Sequence, residues 1–151
     1  MTRSLRVAAV GDLHCPKTGE GLFQALFAKI AESADVLVLC GDLTDYGTPE
    51  EARVLAKELG ATKLPKLAVL GNHDFESDAA DEVSRILAEA AGVVVLDGTA
   101  VEVLSVGFAG AKGFPGGFGA RALQSWGEGP VKAFVAAAVE ETLKLESALA
   151  R

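Results

Sequence analysis

This sequence predicts an α/β fold with a mixed, largely parallel sheet flanked by helices, and three observations carry that prediction. Three short apolar runs, LRVAAVGD, ADVLVLCGD and PKLAVLGN, each end in Gly followed by Asp or Asn. Between them lie stretches whose apolar residues recur at helical spacing. The residues that close the runs, Asp12, Asp42 and Asn72, stand thirty positions apart each time, about the length of one strand–helix unit. Strand–helix–strand–helix order at that period makes a parallel sheet, covered on both faces, the natural arrangement.

The elements follow in order. Leu22, Leu26 and Ile30, with Phe23 and Phe27, mark the apolar face of a first helix. The second opens TPEE, with Thr48 as N-cap, Pro49 at the first helical position and Glu51 closing a capping box. Ala79, Val83, Ile86, Leu87 and Ala90 share one side of a third. In GVVVLDGTAVEVLSVGF, two strand-like runs flank Asp97-Gly98, a strong signal for a tight antiparallel hairpin. A Gly-rich stretch over 107–128 reads as a long loop, either a lid or a connector. From 130 to 151 the stripe Val131, Phe134, Val135, Ala138, Thr142, Leu145 and Leu149 predicts a final helix that runs to Arg151 without a cap.

Size and composition narrow the function. A chain of 151 residues, half of them hydrophobic, suits a single domain (1–151) with a real core. A net charge of −7 disfavours binding to duplex nucleic acid or to a membrane surface, both of which need a basic patch. No apolar run approaches the roughly 18 residues of a membrane span, and the run after the first residues is too short for a signal-peptide core. Cys15 and Cys40 form no disulfide framework and suit a reducing compartment; the expectation is a cytoplasmic protein.

The chemistry gathers at the strand ends, where open parallel sheets collect ligands. The first cluster, GDLH, sets Asp12 and His14 two residues apart; the second, GDLTD, holds Asp42 and Asp45; the third is GNHD, with Asn72, His73 and Asp74. A carboxylate beside an imidazole suits Mn, Fe or Zn better than Mg or Ca. Asp42, between two sites, can bridge two cations, Asn72 is a neutral oxygen ligand, and His73 can face the substrate with Asp74 holding one ring nitrogen. A cation pair roughly 3.5–4 Å apart is a known solution for phosphate-ester hydrolysis, with hydroxide as nucleophile and a proton donor, here His73, for the leaving alkoxide. Taken singly, each motif has a plainer reading: an Asp after a strand is commonly a helix N-cap, and Gly-Asn is ordinary turn chemistry. Those readings must also place both histidines of the chain in matching positions by chance.

The order D-x-H, G-D-x-x-D, G-N-H-D resembles the signature of the calcineurin-like metallophosphoesterases, over roughly residues 5 to 75. The resemblance implies a sandwich of two mixed sheets flanked by helices, of which this chain would be the amino-terminal portion. It implies hydrolysis of phosphate mono- or diesters with two divalent ions (Mn, Fe or Zn). Asp12 and His14 would bind the first ion, Asp42 both, and Asn72 the second. His73 would contact the phosphoryl group or protonate the leaving group, supported by Asp74, with Asp45 nearby.

The departure matters equally. Family members carry later histidines, a lone one and then G-H-x-H, and this sequence has none after His73. The second ion therefore keeps only Asp42 and Asn72. The resulting expectation is a truncated enzyme with partial or no metal occupancy, little activity on its own, and self-association through an uncovered sheet. The alternative is a non-catalytic binding or regulatory module that retains half of the site. A phosphoacceptor signalling domain would use clustered Asp without His14 and His73. Cys15 reads as a bystander thiol near the site, Cys40 as a core residue, and Trp126 carries no assignment.

Overall fold

The computed structural model describes residues 4–151. Residues 1–3, the opening of the stretch read for a signal segment, lie outside the described residues. Four strands, β1 (Val7–Val10), β2 (Val36–Cys40), β3 (Lys66–Val69) and β4 (Val93–Val95), form a parallel sheet in the order β1-β2-β3-β4. Helices α1 (Gln24–Ser33), α2 (Pro49–Leu59) and α3 (Ala80–Ala91) make the crossovers. Parallel crossovers are right-handed, so a sheet whose spatial order equals its chain order must carry every crossover helix on one face. It does: Phe27, Leu55, Leu59, Val83 and Leu87 form one buried cluster with Leu37, Leu39, Ala68 and Val93 of the sheet. The sheet read as covered on both faces thus has its three crossover helices on one of them.

The helices show how local chemistry and packing divide the work. At α2 the capping box forms as read, with Thr48 Oγ1 accepting from Glu51 N and Glu51 Oε2 accepting from Thr48 N at 3.0 Å. At α1 the core-facing line is the buried Phe27 with the half-buried Phe23 and Ile30, while Leu22 precedes the helix and it and Leu26 are exposed. Phe23 cannot cap α1 with a side-chain acceptor. The buried Glu58 of α2 supplies one from a distance, accepting from Gly21 N, Phe23 N and Gln24 N at 2.7, 2.8 and 3.1 Å. Burial alone would raise the Glu58 carboxyl pKa, but these donors outweigh it and hold the value below the ordinary range. In α3, Val83, Ile86 and Leu87 are buried and Ala90 is exposed.

The Asp97-Gly98 signal resolves differently from a hairpin. Val93–Val95 ahead of it joins β3 as the fourth parallel strand. The hairpin comes next, β5 (Thr99–Val103) against β6 (Val106–Gly110), and it turns through Leu104 and Ser105. Both turn residues have positive φ, 51° and 65°, as a two-residue turn matched to strand twist requires. Asp-Gly here links two sheets, because the edge of β3 captures the first run.

The hairpin belongs to the face away from α1–α3. A Cβ on Gly110 would fall 2.7 Å from Val69 Cγ1, and Val69 lies outside the helix-side cluster to which its neighbour Ala68 belongs. Val36 and Leu67 are likewise buried outside that cluster. On the same face Val7 and Val94 remain 47% and 43% exposed. So does Cys40, which corrects its reading as a core residue: β2 ends there, and its side chain faces the side without helices. The first four residues of the Gly-rich stretch 107–128 complete β6, and the rest contains a 3-10 turn at Gly119–Arg121. Helix α4 (Gly129–Leu149) packs on β5 and β6; none of the stripe residues is buried, and the helix's one buried residue is Ala148, outside the stripe. Among the described residues no helix is long and apolar enough to cross a membrane.

Candidate metal centre

The carboxyl ends of β1, β2 and β3 deliver the three motifs to one place. The segment after β1 pairs with the one after β2: His14 N donates to Asp42 O at 2.9 Å, Cys15 N to Leu43 O at 3.0 Å, and Cys15 bridges Thr44 in parallel. The backbone is tightly turned here. Asp12, His14 and Asp42 have φ of 52°, 43° and 48°, a left-handed region that non-glycine residues seldom enter and that clusters at functional sites. Gly71 has no room for a side chain, since a Cβ there would run into Asp42 Oδ1 and its backbone nitrogen. That is the physical meaning of the Gly ahead of Asn72: bulk is excluded where two strand ends meet.

His14, Asp42 and His73 come together. One potential ligand atom from each lies within 4.8 Å of the others, and all three side chains are half-buried. The two imidazoles meet edge to face with centroids 4.4 Å apart. A set of two imidazoles and a carboxylate fits Mn, Fe or Zn. Asp12 and Asn72 are exposed, and Asn72 lines a cleft together with Asp42. Asp42 also accepts the His73 backbone N–H on Oδ1 at 3.0 Å.

The two outer carboxylates have different jobs. Asp45 touches both histidines: its carbonyl lies 2.8 Å from His73 Nδ1, and its Oδ1 is 3.7 Å from His14 Nδ1. A carbonyl only accepts, so Nδ1 of His73 carries the proton and Nε2 is left for a ligand or substrate. The Asp45 carbonyl bond first, then the charges of Asp42, Glu76 and Asp45, raise the His73 pKa against a smaller opposing effect of burial. Asp74 is fully buried, and its carboxylate accepts from Leu43 N, Thr44 N, Thr44 Oγ1 and Gly71 N at 3.1, 2.8, 2.6 and 2.8 Å. The ring of His73 is held by Asp45, not by Asp74, which instead ties the loop after β2 to the loop after β3. Its support of His73 is therefore indirect.

A scan against family descriptions matches the calcineurin-like phosphoesterases over residues 5–110. The chain belongs to the calcineurin-like phosphoesterase family. Within this family member the matched span takes in all three motifs, the parallel sheet and the β5–β6 hairpin. A similar curated protein is the glycerophosphodiester phosphodiesterase GpdQ of Enterobacter lignolyticus (strain SCF1), 42% identical over 45 residues. That match spans 30% of this chain and 16% of the relative.

One residue of the site region escapes a reading by motif, and the bystander Cys15 proves to be a core residue. Thr44 gives Asp74 both a backbone and a hydroxyl donor, and the only hint is a Thr inside GDLTD. Cys15 stands next to the site yet is fully buried in the core, where loss of solvent, then Glu58 and Glu51, push its thiol up to about 12. Its thiol is not among the His14, Asp42 and His73 ligand atoms that converge.

Proposed function

We propose that this chain carries the metal-binding strand ends of a phosphoester hydrolase acting on phosphate mono- or diesters. The single observation behind the reading is the convergence of His14, Asp42 and His73 within 4.8 Å at the carboxyl ends of three neighbouring parallel strands. Asp12, His14, Asp42 and Asn72 would hold two divalent ions, with Asp42 shared between them. The chemistry such ions supply is neutralisation of phosphoryl oxygens and a water made acidic enough to provide hydroxide near neutral pH. Asp45 orients both imidazoles and Asp74 fixes the two loops; His73, in its doubly protonated imidazolium form with Nδ1–H held by the Asp45 carbonyl, would give its Nε2 proton to the leaving oxygen. Because the ligand set for the second ion is only Asp42 and Asn72, the isolated chain is expected to bind metal weakly and turn over slowly. The likeness to a glycerophosphodiester phosphodiesterase makes a diester part of the assay.

Calorimetric titration with Mn2+ tests the reading. Weak saturable binding is expected, lost in Asp42→Asn and His14→Ala; binding indifferent to both substitutions would sink it. Full hydrolysis of p-nitrophenyl phosphate by the chain alone would overturn the partial ligand set. Metal binding without any hydrolysis, with or without a partner chain, favours the alternative of a non-catalytic module. The exposed apolar positions Val7 and Val94 support self-association through the open sheet face. A net charge of −7 makes duplex nucleic acid and anionic membranes poor partners.

A further inference from the structure

Beside the metal centre lies a cleft of about 450 Å³ with Asp42 and Asn72 on one side and Lys112, Phe114 and Phe118 on the other. The charges that face the motif loops are acidic: Asp42, Asp45 and Glu76 all act on His73. A phosphate ester approaching such a site meets repulsion unless cations offset it. Lys112 is the only cation among the described residues lining this cleft.

The lysine is held in place. Its ammonium sits 5.1 Å from the centroid of the Phe75 ring, two residues past His73, and 5.4 Å from that of Phe114. The next residue is anchored from behind: Gly113 N donates to Glu141 Oε2 at 3.1 Å, and Glu141 is gripped by Lys144 at 2.7 Å, which also holds Asp97 at 3.1 Å. A chain of contacts from α4 thus sets the Gly-rich segment against the loop of His73. Lys112 has no carboxylate partner within ion-pair distance among the described residues; its ammonium donates to the Gly113 carbonyl at 3.2 Å, leaving further N–H donors.

We infer that Lys112 is a substrate-binding residue whose ammonium takes a phosphoryl oxygen of the ester held at Asp42 and Asn72. The inference deepens the proposed function and rests on it. It gives the Gly-rich segment a role as the wall of the site and favours the doubly charged phosphate of a monoester over the single charge of a diester.

Inorganic phosphate is the probe, added to the Mn2+-loaded full chain and followed by calorimetry and phosphorus NMR, alongside Lys112→Gln and Lys112→Arg. Expected results are a loss of phosphate affinity of about tenfold or more for K112Q, most of it restored by K112R, with Mn2+ affinity and thermal midpoint unchanged. A merely structural clamp on Phe75 and Phe114 would move the thermal midpoint and leave phosphate affinity alone. Phosphate affinity unaltered in K112Q, or no phosphate binding by the wild type, overturns the inference. The metal reading fails separately, when Asp42→Asn leaves the Mn2+ titration unchanged.

Discussion

The two faces of the parallel sheet are built from the same kind of residue and end in different states. On one, Leu37, Leu39, Ala68 and Val93 are buried by three crossover helices. On the other, Val36 and Leu67 are buried while Val7, Val94 and Cys40 stay exposed. β-Branched and aliphatic residues alternate through both, so side-chain hydrophobicity does not distinguish them. The difference comes from connectivity: right-handed crossovers in sequential order send every helix to one side. The helix face is therefore closed over by three helices, while the other keeps apolar positions exposed at Val7 and Val94.

The largest effect should come from the residue that joins the strand ends. Asp74→Ala would leave three buried donors and the half-buried Gly71 N–H without an acceptor. At about 1–3 kcal/mol for each unsatisfied group, unfolding in urea should show a loss of more than ~3 kcal/mol, with Mn2+ binding lost too; a loss under ~1 kcal/mol would mean the loops hold without it. Next, Leu39→Ala on the helix face should cost about 2–5 kcal/mol. Val94→Ala on the open face should cost well under half of that. Equal losses would erase the contrast between the faces.

A smaller effect follows from Glu58. Its folded pKa is depressed, so its stabilisation is present above the ordinary glutamate range and is lost as the pH falls through the lower folded value. Glu58→Gln should therefore cost about 1.5–3 kcal/mol near pH 7, with the gap to wild type closing on acidification in thermal melts. A gap that stays constant with pH would assign the role of Glu58 to packing. The smallest effect on stability, though not on assembly, is expected from Val7→Lys with Val94→Lys. Concentration-dependent association in light scattering should fall while the thermal midpoint shifts little. A wild type that is already monomeric at high concentration breaks the link between the open face and association.

Much of the site was legible because it is local in sequence. Asp12, Asp42 and Asn72 each follow a strand at one repeat length, and adjacent parallel strands bring equivalent positions together. His14, Asp42 and His73 do meet. What stayed hidden was which groups hold them. Asp45 reaches His73 through its backbone carbonyl, and no side-chain motif encodes a carbonyl. Asp74 sits beside His73 in GNHD but points into the loop after β2. Lys112 lies almost forty residues past His73, in a segment without periodicity.

By itself the sequence determined the first three strands, their parallel direction, the capping box of α2 and the strand-end positions of His14, Asp42 and His73. Each of these depends on residues within one strand–helix unit or on the thirty-residue repeat of such units. Only the tertiary structure decided that all crossover helices share a face and that Val93–Val95 joins β3 rather than a hairpin. It also decided that Cys40 is exposed and that Glu58 caps a helix more than thirty residues away in sequence. Those outcomes depend on crossover handedness and on which edge or donor a segment meets in space, and periodicity along the chain carries neither.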